Sequence, residues 1–126
     1  MNARFIAIGS SCAFLSVLFG AFGAHSLKEI LTPNMLANFQ TGVQYQMFHS
    51  LGLIAIGLAS AHFPKSLHLV RAGWSMVIGI ILFSGSLYVL SLTGVTMLGM
   101  ITPFGGVAFL LGWLFLVLAA RSKART

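Results

Sequence analysis

Four stretches of the chain, residues 5–24, 43–63, 72–92 and 103–120, are almost unbroken in apolar side chains, with polar residues gathered in the gaps between them. About 20 apolar residues rising 1.5 Å each cross the roughly 30 Å of a bilayer's hydrocarbon. Lipid offers no hydrogen-bond partners, so each run has to satisfy its own backbone and is predicted to be a helix. The alternating pattern of a barrel strand is missing. The expected fold is therefore all-α: an integral membrane four-helix bundle, one four-span domain over residues 1–126.

The gaps carry their own signals. Thr32-Pro33 and Thr102-Pro103 each place a hydroxyl before a proline suited to the first helical position. Ser26 and Glu29 have the spacing of a capping box, which predicts a short turn after the first span. The stretch 25–42 is expected to form one or two short interfacial helices between spans one and two, with Leu36 and Phe39 toward the membrane. Arg4 before an apolar run, with Ala21-Phe22-Gly23 downstream, resembles a secretory signal. The run is longer than a signal core and carries helix-packing residues, so it is expected to stay as a span.

Composition agrees with a membrane protein. The chain is 58% hydrophobic and 6% charged, against about 25% charged in soluble domains. Its formal charge of +6 does not point to nucleic acid, because the seven Lys and Arg residues sit at span ends rather than in a patch with aromatics. Arg4, Lys65, Arg71, Arg121, Lys123 and Arg125 fall on one side of a four-span chain and only Lys28 on the other. Basic residues stay on the inner side, so both termini are expected in the cytoplasm. Cys12 is the only cysteine, which excludes an internal disulfide and a cysteine metal cluster.

Helices in lipid associate through small residues and interhelical hydrogen bonds. Span one has a small residue every four positions, at Cys12, Ser16, Gly20 and Ala24; Gly52 serves span two, and Gly105, Ala108 and Gly112 serve span four. These faces are read first as the internal seam of one bundle, and second as a surface for a homo-oligomer or a membrane-protein partner. The bilayer itself is the expected surrounding.

One stretch departs from the apolar pattern. Span two opens on "TGVQYQMFHS", residues 41–50, where Tyr45, Gln46 and His49 share neighbouring parts of one helical face. A polar side chain at that depth is costly against lipid and should turn inward. Candidates to meet it are His25, Glu29, Ser84, Ser86 and Tyr88, all in the outward half by the charge count. The plainer reading is a hydrogen-bonded staple between helices; the sharper one is a site for a small molecule, proton or metal. Two lone histidines outside any motif do not define a haem or metal site, so no cofactor and no metal are expected. With one acidic residue and no phosphate-loop, His-Glu-x-x-His or Gly-x-Ser-x-Gly motif, no catalytic set is expected either.

The blocks "GAFGAHSLK" (20–28), "FQTGVQYQMFHSLGL" (39–53), "LFSGSLYVL" (82–90) and "ITPFGGVAFLLGW" (101–113) resemble the YgdD family of small bacterial inner-membrane proteins. The likeness touches every span. It implies a multi-pass membrane fold and supplies no established activity. The expected function is accessory or partner-binding, with small-molecule, proton or metal transport as the alternative.

Overall fold

The computed structural model describes residues 1–124, so Arg125 lies outside the described residues. Four long helices carry the chain: α1 (Ala3–His25), α2 (Pro33–Ala59), α3 (Leu67–Thr93) and α4 (Thr102–Ala124). Short tight turns fill two of the connections, at Leu27–Glu29 and Thr96–Met100, and no strand occurs among the described residues. By length and composition α1, α3 and α4 could each cross a membrane. α2 has 27 residues, about 40 Å at helical rise, but its glutamines and His49 make it less apolar. Large apolar side chains such as Phe14, Phe104 and Leu110 stand about 70% exposed on the outside. Such a surface belongs against lipid.

The start and stop signals act as physical chemistry requires, with two exceptions. The Thr32 hydroxyl accepts from the Met35 amide at 3.3 Å, and Pro33 follows it into the first turn of α2. Gly94 closes α3 in the left-handed region at φ +74°, its N–H bonding to the Leu90 carbonyl at 2.8 Å; only glycine enters that region without strain. Ser26, by contrast, makes no side-chain cap, so the expected capping box with Glu29 does not form. Thr102 turns its hydroxyl sideways to Ser86 at 2.6 Å, tying α4 to α3.

The short turn after α1 is present, but the chain from Pro33 onward is not a separate interfacial helix. It is the first turns of α2, unbroken to Ala59. The reason lies in Phe39, expected to face lipid and found 3% exposed. Its ring sits over Gly23 of α1, where a Cβ would be 3.0 Å away, and 5.1 Å from the Tyr88 ring of α3. Anchored on both sides, this stretch continues the bundle upward.

The core lies around the second half of α2, where Leu53 and Ile56 meet Phe5, Leu69, Ala72, Met76 and Phe109. Glycines let the helices approach. Phe5 occupies a notch at Gly73, where a Cβ would be 2.2 Å from its ring, and Phe109 fills another at Gly79. At Gly105 a Cβ would lie 2.3 Å from the Phe83 backbone nitrogen, so α3 and α4 touch main chain to main chain. Gly112 takes Met76, Gly52 takes Trp113, and Ala108 is buried in the same seam.

Span one's stripe differs from the expected one. Ser16 is buried, Cys12 partly so, and Gly20 faces Val43 at 3.4 Å, but Ala24 is exposed. A strict four-residue repeat drifts about 40° per step on a 3.6-residue helix, which carries Ala24 off the seam. The buried line is Phe5, Gly9, Ser16 and Gly23, and at Gly9 a Cβ would lie 2.7 Å from the Ser50 carbonyl oxygen.

Midway along α3 the backbone widens into a π-helical segment, Ile80–Ser84, where the Gly85 amide reaches back to the Ile80 carbonyl. Wide turns of this kind often accompany polar sites in helices. Here the segment lies where Phe83 meets Gly105 and Ser84 meets α2.

Candidate functional site

The polar side chains of α2 meet partners on all three other helices. Gln46 is the middle residue of α2. Its Nε2 donates to the Cys12 carbonyl of α1 at 2.8 Å, and its Oε1 accepts from the Tyr88 hydroxyl of α3 at 2.5 Å. One carboxamide thereby joins three helices. Four residues earlier, the Gly42 carbonyl accepts from the Ser84 hydroxyl at 2.7 Å. The Tyr88 ring packs against that same glycine, where a Cβ would be 2.8 Å from it. Glycine at 42 is what lets tyrosine reach glutamine.

His49 completes the set on the side of α4. The Trp113 indole N–H donates to its Nε2 at 3.1 Å, and its Nδ1 lies 2.7 Å from the Tyr45 carbonyl. An indole can only donate and a carbonyl can only accept. The imidazole is therefore the neutral form with its proton on Nδ1, both nitrogens occupied. Its ring stacks on Phe109 at a centroid distance of 3.5 Å and an angle of 10°. Gln46 and His49 are 4% and 5% exposed, so protein rather than lipid surrounds both.

Not every expected member joins. His25 and Glu29 are exposed where α1 ends and take no part in the network. The α1 helix ends at His25, and Glu29 belongs to the turn that follows. Tyr45 contributes its carbonyl, while its ring stacks on Phe83 at 4.5 Å and stays 38% exposed. Tyr88 joins as an internal donor, its hydroxyl on Gln46. Among the described residues, no three His, Cys, Asp or Glu side chains gather as a metal ion would need.

Sequence reasoning missed Trp113 and the carbonyls of Cys12 and Gly42. A signal for Trp113 exists: it is the middle residue of α4, and an indole N–H at that depth needs an acceptor. Main-chain acceptors leave no such trace. A helical carbonyl is already bonded within its own helix, and only tertiary approach shows which one takes a second donor. Ser16 and Ser50 likewise bond the carbonyls four residues back, at 2.9 and 2.5 Å.

An all-helical bundle with a lipid-compatible exterior and a closed internal network is a membrane protein of small size, and comparison with known proteins agrees. Residues 19–106 match the family described as protein of unknown function (DUF423). The UPF0382 membrane protein YwdK of Bacillus subtilis is 47% identical over 92% of this chain and 94% of its own length. A UPF0382 membrane protein of Staphylococcus epidermidis is 48% identical over 91% of this chain and 93% of its own, and one of Haemophilus influenzae 39% over 92% of each. The chain belongs to this DUF423/UPF0382 family of membrane proteins of unknown function. No solved structure matches it.

Proposed function

We propose that this chain is a structural or accessory protein of the bacterial inner membrane, of the YgdD type, whose polar network sets the packing of four membrane-crossing helices. In this reading α2 is the fourth span, and both termini face the cytoplasm with the basic residues. The outer faces of α1 and α4 remain for lipid, for a membrane-protein partner or for a second copy. The observation that carries the reading is the closed bonding of His49. Trp113 and Tyr45 take both ring nitrogens while Phe109 covers a face. A carrier of protons or metal ions needs a nitrogen free to load and unload.

Substitution of His49 tests this. Glutamine offers an oxygen for the Trp113 N–H and an N–H for the Tyr45 carbonyl, yet cannot become cationic. His49→Gln should insert, keep its helicity and unfold at nearly the wild-type detergent concentration. Loss of proton flux or metal uptake in proteoliposomes containing folded His49→Gln, against activity in wild type, would overturn the proposal. Native purification with mass spectrometry identifies partners, and reporter fusions at the carboxyl terminus check the orientation.

A further inference from the structure

At the basic end of the bundle, the turn joining α2 to α3 and the last turns of α4 surround an open cleft of about 450 Å³. Phe63 and Leu67 give it an apolar lining, while His62, Lys65, His68 and Lys123 stand around it. The chain's one acidic side chain, Glu29, follows the opposite end of α1, so no side-chain carboxylate neutralises this end. The first turn of α3 opens on the same cleft. There the Ser66 hydroxyl takes the Leu69 amide at 3.3 Å, leaving the amides of Leu67 and His68 without acceptors inside the helix. Nδ1 of His68 is buried and has no hydrogen-bond partner. Cationic side chains beside unsatisfied helix N-terminal amides suit a phosphate.

What distinguishes a lipid phosphate from a dissolved one is the surface that continues from the cleft. Leu67, Val70 and Trp74 are exposed at successive turns of one face of α3, forming an apolar track that leads from the cleft along the helix. We propose that the cleft binds an anionic phospholipid, with its phosphate among Lys65, His62 and His68 and an acyl chain along that track. The site lies apart from the network around Gln46 and stands independently of the function assigned to it.

The test uses the full chain in neutral detergent with equal amounts of phosphatidylglycerol and phosphatidylcholine, with retained lipid read by native mass spectrometry. Phosphatidylglycerol should be retained over phosphatidylcholine. Exchange of Lys65→Gln together with His68→Gln should lower that retention at least about fivefold, as expected for losing a basic contact near a charged surface. Lys65 is exposed, so Lys65→Gln alone provides a reading should the double variant lose helicity. Lys28→Gln, at the other end, should leave retention unchanged. Equal retention of the two lipids, full retention in Lys65→Gln, or an equal loss in Lys28→Gln would overturn the proposal. So would displacement by stoichiometric inorganic phosphate, which would reassign the cleft to a free anion.

Discussion

The two halves of α2's inner face hold the bundle by different means. From Gly42 to Ser50 the contacts are directional: Gln46 bonds to α1 and α3, His49 to α4, and Gly42 accepts from Ser84. From Leu53 to Gly57 they are contacts of shape, with Leu53 and Ile56 fully buried and Gly57 set against the backbone of Asn2 and Ile6. Lipid competes for apolar contact almost as well as another helix does, so shape alone leaves rotation about the helix axis weakly fixed. Hydrogen bonds at mid-helix fix it, because a turned helix would leave a glutamine and a histidine in hydrocarbon. The apolar half sets how closely the helices approach, and the polar half sets which faces meet.

Breaking each half in turn should show this difference. The largest loss is expected at Phe5, 1% exposed and seated at Gly73. Phe5→Ala should lower stability by about 3–5 kcal/mol, seen as early unfolding in mixed micelles followed by circular dichroism. Gly57→Val should cost about 1–3 kcal/mol, because the added atoms meet the Asn2 carbonyl and the Ile6 amide of α1, which are main chain and cannot move aside. In the polar half, Gln46→Leu should cost about 1–2 kcal/mol. A cycle with Tyr88→Phe should show coupling, since the two side chains share one bond. Smallest is Ser84→Ala, at about 0.6 kcal/mol, a single bond to a carbonyl that keeps its own helical partner. The comparison also predicts a difference in kind. Polar-half variants should broaden the tryptophan environment of Trp113 before helicity falls, which fluorescence would record, whereas Phe5→Ala should lose helicity and tertiary signal together.

Much of this was legible in the residues. Helix number, the Thr32-Pro33 start and the inward turn of Gln46 and His49 follow from how little lipid tolerates a bare polar group. Ser84 and Tyr88 were reachable as partners because an apolar helix offers few alternatives. Other expectations failed for definable reasons. A four-residue repeat placed Ala24 on a seam that helical drift removes. The second span was counted from Val43, whereas α2 begins at Pro33 and puts Gln46 at its midpoint. His25 and Glu29 were drawn in by charge and order along the chain, neither of which fixes direction in space.

The sequence by itself determined that the chain folds as membrane helices, where those helices break, and that one helix carries polar groups needing protein around them. Solvation imposes these outcomes on each segment separately, so they can be read locally. Only the tertiary structure decided which groups answer them: the Cys12 and Gly42 carbonyls, the Trp113 indole, the notch of Gly73 under Phe5. Those pairings depend on the distance and rotation between helices far apart in the chain, and that geometry is fixed by all the contacts together.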